Sequence, residues 1–228
     1  MLKFKESFDN LDVAITDLSN AIQKDVSPVF EKIYEVMNKL KKQPKIKTHV
    51  LWVSPRFPHD HPRAGEATYF VDKIAIALSL ALRNESTDNF SPKLHTCRAD
   101  SKNSKNKKGA YEEWKRKIDE VNAGKAILSL RMWSGSPYNS KHDGSHPVEI
   151  AQFNKDSGIG VQELNLSDTM IHGALKNNDV ALTSTNGGLS LSTIAKNDGL
   201  SLPDFKAWFR KADLSKPIAI IHLTKFRY

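Results

Sequence analysis

The segment from Lys93 to Arg98 carries three polar side chains whose types and spacing suit hydrolytic chemistry: Lys93, Thr96 and Arg98. Side chains two residues apart in an extended chain share a face, so Thr96 and Arg98 are expected to point the same way. Lys93 is an odd number of residues away from both, so its side chain is expected on the other face. A turn before the strand could bring it to the same face. A lysine with a lowered pKa can act as a general base towards a threonine hydroxyl, and an arginine nearby can bind an anion or polarise a carbonyl.

Three further residues are candidates for substrate contact. Arg63 and Glu66 border a proline-rich loop, and a long loop with such charges can contact a substrate. A surface ion pair is the alternative for these two residues. Trp133 lies at the end of a strand-like run, where an aromatic ring could stack on a base. Packing in the core is the interpretation we favour for Trp133 from sequence.

Metal and cofactor sites are not expected. His59 and His61 lack a third ligand at a fixed spacing, and His142 and His146 are interrupted by a glycine, which predicts a solvated loop. Cys97 alternates away from Thr96, so we expect a buried, inert thiol. The G-x-G at 158–160 is not followed by a helix with a third glycine, so no dinucleotide site is expected.

The composition is typical of a globular protein. The chain has 228 residues, of which 39% are hydrophobic and 26% charged, enough to bury a core. Its longest apolar run falls far short of the roughly 20 residues that a membrane span needs. A single cysteine excludes a disulfide framework, and the N-terminal residues have no apolar core of a secretory signal. These features predict a cytoplasmic location and no membrane partner.

The charge balance suggests one kind of partner. The formal net charge is +8, and 101–117 holds seven Lys and Arg residues against two Glu. A basic patch of this kind fits an anionic partner such as RNA. A solvated, flexible loop is the simpler interpretation of the same segment.

Residues 1–46 form a separate segment with its own pattern. An apolar stripe at helical spacing is followed by Ser27-Pro28, which favours a helix start, and by a second stripe. The first stripe comprises Leu11, Ile15, Leu18, Ile22 and Val26. We expect a helical N-terminal extension that packs against the main domain or mediates self-association.

Residues 47–228 are expected to form one α+β domain. Its predicted middle part is rich in strands and poor in helices, so strands and helices do not alternate throughout, which favours a small mixed β-barrel with flanking helices over a parallel α/β sheet. The predicted strands lie at 49–53, 93–98, 126–133, 148–153, 159–166 and 218–223, and the predicted helices at 67–82, 111–122 and from 202 onwards. No structure is assigned to 169–189.

The order of motifs from 67 to 228 resembles the ASCH domain, a family with a PUA-like β-barrel. The K-x-x-T-x-R signature of that family corresponds to Lys93, Thr96 and Arg98. The other matching segments are Tyr69–Ile74, Asn122–Leu130, Val148–Phe153, Asp198–Phe205 and Pro217–Phe226. The resemblance covers about two-thirds of the chain.

The resemblance implies a role with RNA or nucleotides. One branch of the family hydrolyses the acetamide of N4-acetylcytidine with a Lys, a Thr and a Glu, which correspond here to Lys93, Thr96 and Asp198. The implied mechanism is attack by the Thr96 hydroxyl on the acetyl carbonyl while Lys93 takes its proton. Asp198 is one methylene shorter than the family's Glu, and the chain is about twice the size of that branch. A non-enzymatic module that binds RNA or a modified base is the alternative.

Overall fold

The computed structural model describes residues 46–83, 92–103, 105, 108–167, 170–171, 180–183 and 187–228. The chain divides into two units, Met1–Lys45 and Ile46–Tyr228. The first unit, which holds the expected helical extension, lies outside the described residues, so the extension and its self-association stay predictions. In the described part, every helix is too short or too polar to cross a bilayer.

Eight strands and five helices are assigned in the described residues, and they are numbered here in chain order. The strands are β1 (Lys47–Trp52), β2 (His95–Arg98), β3 (Ala126–Trp133), β4 (Pro147–Phe153), β5 (Gly160–Asn165), β6 (Val180–Thr183), β7 (Gly187–Ser190) and β8 (Ile218–His222). The helices are α1 (Phe70–Arg83), α2 (Ala110–Asn122), α3 (Ser140–Asp143), α4 (Leu191–Asn197) and α5 (Leu202–Phe209).

The strands form two sheets. The first has the order β1-β3-β4, with β1 parallel to β3 and β4 antiparallel to it. The second has the order β2-β8-β5-β6-β7 and is antiparallel throughout. The α+β class predicted from sequence is therefore confirmed. Strand pairing in the described ranges gives two sheets and no closed ring of strands.

The core lies between these elements and is mostly apolar, with buried polar residues that include Lys93, His95 and Asp198. Alternation along β1 buries Leu51 and leaves Trp52 half-exposed, whereas β8 is buried at all five positions. A fully buried strand of this kind has both faces covered, which explains its continuous apolar run. β8 is therefore the buried strand with which β2 pairs, and β2 carries the polar motif.

Two helices differ from the sequence prediction in ways that matter for the site. α1 begins at Phe70, three residues later than predicted, because Tyr69 has a left-handed φ of 56° and the Thr68 hydroxyl accepts the Phe70 N–H. α4 was not predicted at all. It begins after Ser190, whose hydroxyl accepts the Thr193 N–H, and it ends immediately before Asp198.

Candidate active site

Backbone hydrogen bonds fix the start of the motif against two helices. The Lys93 N–H donates to the Lys73 carbonyl on α1 at 3.1 Å, and the Leu94 N–H donates to the Asn197 carbonyl on α4 at 2.9 Å. These bonds place the start of β2 beside the C-terminal end of α4. Residues about 100 positions apart in sequence are thereby brought into contact.

Lys93 and Asp198 form a buried ion pair at this junction. Lys93 Nζ lies 2.5 Å from Asp198 Oδ1 and 2.6 Å from the Asp198 carbonyl oxygen. The two residues are 1% and 4% exposed, so water contributes almost nothing to solvating either charge. The Cys97 N–H also donates to Asp198 Oδ1, at 3.2 Å, and Lys93 Nζ lies 4.1 Å from the centre of the Phe70 ring.

The surroundings shift both pKa values towards the neutral forms. Burial lowers the pKa of Lys93, and burial raises the pKa of Asp198, while the attraction between the two partners opposes each shift. Desolvating an ion pair costs several kcal/mol per ion, which is why burial is the larger influence on each group. Burial therefore favours the neutral form of each partner, whereas the attraction within the pair favours the charged forms.

Thr96 and Arg98 share a face of β2, as the strand periodicity predicts. Arg98 Nη1 donates to Thr96 Oγ1 at 3.0 Å and to the Cys97 carbonyl at 2.9 Å. Arg98 Nη2 donates to the Trp52 carbonyl at the end of β1. The guanidinium thus joins the second sheet to the first and holds a permanent positive charge against the threonine hydroxyl.

Lys93 is not brought to the face of Thr96 by a turn, which was one expectation from sequence. Both hydrogen bonds of the Lys93 ammonium within the described residues run to Asp198, which bonds the Cys97 N–H. β2 pairs with β8 on one side only, so this contact lies at the outer edge of β2. Lys93 and Asp198 meet there, while Thr96 is held separately by Arg98.

The opposite face of β2 carries residues that sequence analysis did not assign to the site. His95 Nε2 lies 2.8 Å from the Tyr228 hydroxyl, which also accepts the Asn197 side-chain amide at 3.0 Å. Burial lowers the pKa of His95 well below its usual value, so the ring is neutral. Strand periodicity could have placed His95 beside Cys97, whereas no sequence signal pointed to Tyr228.

Cys97 is buried and unreactive, as predicted. It is 2% exposed, and burial raises the pKa of its thiol well above the usual value. Its Sγ, His95 Nδ1 and Asp198 Oδ1 lie within 4.8 Å of one another, a set of atoms that could ligate a metal. The Lys93 ammonium, however, already contacts the same Asp198 oxygen, which disfavours a second cation there.

Arg63 and Glu66 form a surface ion-pair cluster with α5. Arg63 Nε lies 2.8 Å from Glu66 Oε2, and Arg63 Nη1 lies 3.0 Å from Asp204 Oδ2. Their side chains are 44% and 57% exposed, and their contacts run to each other and to α5 rather than to Thr96. The structure therefore agrees with the surface ion pair that was the alternative for Arg63 and Glu66. Contact of these residues with a substrate stays a prediction.

The core position that we favoured for Trp133 from sequence is wrong. It is half-exposed and stands outside the buried cluster, because it lies at the end of β3 beyond the buried positions of that strand. Its ring stacks on Trp52, with centroids 5.4 Å apart and planes 13° apart.

The histidines considered as metal ligands are explained by other contacts. His61 Nε2 lies 3.1 Å from the Asp204 carbonyl, and its Nδ1 accepts the Arg63 N–H, so both ring nitrogens have partners. His142 and His146 are exposed, as expected for a solvated segment, although part of that segment forms the short helix α3.

Protein-family models, curated proteins and solved structures show no match to this chain. The function is therefore argued from the geometry of the buried Lys93–Asp198 pair and its neighbours.

Proposed function

We propose that the protein is an ASCH-type amidohydrolase that removes the acyl group from an N4-acylated cytidine-type nucleoside. The observation that carries the proposal is the buried Lys93–Asp198 pair, with Nζ 2.5 Å from Oδ1, at the strand that holds Thr96. A buried lysine with a lowered pKa that activates a hydroxyl is a recurrent arrangement in covalent hydrolysis, and Lys93 precedes Thr96 by three residues in the motif.

The PUA-like barrel belongs to the same proposal. It is supported by the antiparallel order β2-β8-β5 in the second sheet and by the short link from Arg98 to the end of β1. This link brings the edges of the two sheets together at the motif strand. The single cysteine and its buried thiol fit a reducing, cytoplasmic location.

The first chemical step forms an ester on Thr96. Lys93, as the free amine, takes the hydroxyl proton while Thr96 Oγ1 attacks the acyl carbonyl, and Asp198 holds the proton that Lys93 gave up earlier. The Arg98 guanidinium, 3.0 Å from Thr96 Oγ1, stabilises the oxyanion that forms. The C–N bond then breaks, and the Lys93 ammonium returns its proton to the leaving N4 amine.

The second step releases the acid. Water attacks the Thr96 ester, Lys93 again takes a proton, and the C–O bond to Thr96 breaks to give acetate and the free hydroxyl. General-base catalysis of this kind contributes roughly 10²–10⁴ in rate. Because Lys93 Nζ contacts Asp198 in this structure, the mechanism requires the ammonium group to turn towards Thr96.

Trapping the ester tests the proposal directly. The wild-type protein is mixed with N4-acetylcytidine, quenched with acid within the first turnover, digested and examined by mass spectrometry. We expect an acetyl group on the peptide that contains Thr96 and none when Thr96→Val is treated in the same way. Turnover with no acetyl group on that peptide in rapid-quench samples would contradict the covalent mechanism.

A non-enzymatic binding module is the second candidate, and one observation favours it. Lys93, Thr96 and Asp198 are 1%, 3% and 4% exposed, and each already has a partner within the protein. In this account the motif is structural, and the net charge of +8 attracts RNA. It predicts an RNA affinity that falls steeply with salt because phosphate contacts release counterions. An affinity that does not change with salt would count against it.

A further inference from the structure

Three aromatic rings lie in contact at one end of the first sheet. Trp52 at the end of β1 and Trp133 at the end of β3 are nearly parallel, with centroids 5.4 Å apart. Tyr138 lies on the next loop, with its ring 5.1 Å from that of Trp133 and tilted by 56°. We call Trp52, Trp133 and Tyr138 the aromatic platform. Because β1 and β3 are parallel, their carboxyl ends meet at the same edge.

The platform is on the open face of the sheet. Leu51 on β1 and Leu130 on β3 point into the core and are fully buried. Trp52 and Trp133 are half-exposed, and Tyr138 is 85% exposed, the highest value among the exposed large hydrophobic residues of the described chain. Tyr138 is therefore the ring of the platform that faces water, and exposed apolar patches mark interaction sites.

The loop that presents Tyr138 is built to hold it there. Asp143 accepts N–H groups from Ser145 at 2.8 Å and from Ser136 at 3.3 Å, and the Ser145 hydroxyl donates to the Ser136 carbonyl at 2.6 Å. A Cβ on Gly135 would lie 3.0 Å from that of Ser145, so the close approach of the loop's two sides depends on a glycine.

The backbone of Tyr138 is itself strained. Its φ is 60°, a left-handed value that costs a bulky residue free energy and that clusters at functional positions. The hydrogen bonds of the surrounding loop offset this cost. The loop backbone that carries Tyr138 is therefore held before any ligand arrives, which reduces the entropy lost on binding.

The Arg131 guanidinium beside the platform indicates which class of ligand the platform would bind. Arg131, the register partner of Trp52 in the β1–β3 pair, is part-exposed on this face. Its Nε donates to Ser129 Oγ at 2.7 Å, and its Nη2 lies 3.8 Å from Glu149 Oε2. A rigid stack of aromatic rings with an arginine beside it, on a chain of net charge +8, suits a planar base attached to phosphate.

We propose that the aromatic platform is a stacking site for an unpaired nucleobase of a single-stranded nucleic acid, with Tyr138 as the outermost ring. This proposal rests on the proposed function in one respect: both assume that the ligand carries a nucleobase. The Arg98 bond to the Trp52 carbonyl places the platform next to the Thr96 strand. A base bound there lies beside the proposed reaction centre.

Binding to labelled oligonucleotides tests the site. The anisotropy of a fluorescent hexamer of cytidylate is followed during titration with the full chain, and Tyr138→Ala and Trp133→Leu are compared with wild type. We expect roughly a tenfold loss of affinity for Tyr138→Ala and a larger loss for Trp133→Leu, whereas Tyr138→Phe binds as the wild type does. A deoxycytidylate hexamer, titrated in parallel, distinguishes RNA from DNA as the preferred strand.

The chain supplies a matched control in Tyr69. It is 63% exposed and has a left-handed φ of 56°, yet it makes no ring contact with the platform tryptophans. Tyr69→Ala is expected to retain wild-type affinity, and far-UV circular dichroism checks the fold of each variant. Equal affinity of Tyr138→Ala and wild type, or an equal loss in Tyr69→Ala, overturns the proposal.

Two further readouts distinguish other occupants. Heparin carries charge without bases, so binding by charge alone would give Tyr138→Ala the same affinity as wild type for both heparin and the hexamer. A dimer that Tyr138→Ala dissociates in sedimentation, with hexamer binding unchanged, would show that a second copy covers this face. Because the titration needs no turnover, its failure leaves the proposed hydrolysis standing, and absence of hydrolysis leaves the stacking site standing.

Discussion

Lys93 and Asp198 are 105 residues apart in the sequence, and in the fold their side chains meet with 2.5 Å between Nζ and Oδ1. Neither has water to solvate its charge, so each depends on the other. This mutual dependence makes the pair both a constraint on stability and the proposed source of a neutral lysine.

Removing one partner of this pair should be far more costly than removing both. Lys93→Met leaves the Asp198 carboxylate buried and unpaired, at an expected cost of about 3–5 kcal/mol in the free energy of unfolding. Adding Asp198→Asn to Lys93→Met should recover part of that loss. Urea denaturation of the wild type, the two single variants and the double variant measures the coupling.

The surface pair Lys115–Asp119 is the matched control, because its side chains are 48% and 60% exposed. Lys115→Met is expected to leave the free energy of unfolding close to the wild-type value, because exposed ion pairs contribute little. Similar costs for Lys93→Met and Lys115→Met would show that the buried pair is not coupled as described.

Gly199 is expected to tolerate no side chain. Its φ is +75°, and a Cβ there would lie 3.2 Å from Lys93 Cβ and 3.3 Å from Lys73 Cδ. Gly199→Ala should therefore cost about 1–2 kcal/mol in backbone strain and displace Lys93 from Asp198. Thermal unfolding measures the first effect. A melting temperature equal to that of the wild type would refute the strain argument.

His222 should make the protein sensitive to mild acid. It is fully buried, neither ring nitrogen has a hydrogen-bond partner in the described structure, and burial lowers its pKa to about 3. Between pH 6.5 and 3 the unfolded chain binds a proton that the folded chain does not, so stability falls as the pH falls. The expected slope is on the order of 1.4 kcal/mol for each pH unit in that window.

Replacing the ring removes the contribution of His222 to this slope, whereas the buried His95, whose pKa is also lowered, continues to contribute. His222→Leu is expected to match or exceed the wild-type stability at pH 7, because it removes buried polar atoms that have no partner. Urea midpoints for both proteins between pH 7 and 4 provide the measurement. An identical pH dependence in the variant would show that another group is responsible.

Glu120 should contribute to stability in a more acidic window. Hydrogen bonds from Lys47 and then from His49 lower its pKa to about 2, with a further contribution from Arg116. Since the folded pKa lies below the unfolded value of 4.5, this stabilisation is complete above about pH 4.5 and is lost as the pH falls towards 2. Glu120→Gln should flatten the melting temperature in that range only. A flattening above pH 5 instead would contradict the assignment.

Local sequence patterns predicted much of the fold. Strand periodicity placed Thr96 and Arg98 on one face, and the helix predicted from 202 onwards is present as α5, which Ser201 caps by accepting the Asp204 N–H. The predicted strand at 159–166 is present as β5. These features depend on neighbouring residues alone, which is why sequence reasoning reached them.

Features that depend on distant contacts were missed or wrong. α4 has only three buried positions (Leu191, Ile194, Ala195), too short a stripe to stand out in an Asn- and Gly-rich region. The meeting of Lys93 and Asp198 was implied by the family resemblance, whereas its geometry at the edge of β2 depends on where α4 ends. Trp133 was expected in the core, because its position beyond the buried part of β3 depends on how β1 and β4 pair with that strand.

Turnover of N4-acetylcytidine, followed by chromatography, tests the central claim most directly. Wild type should release cytidine and acetate, Thr96→Ser should retain a measurable rate, and Thr96→Val should lose roughly 10²–10⁴ or more of the rate. Thr48→Val, at an exposed threonine on β1, is the control and should keep the wild-type rate. No turnover by the folded wild type, or equal turnover by Thr96→Val, would contradict the account.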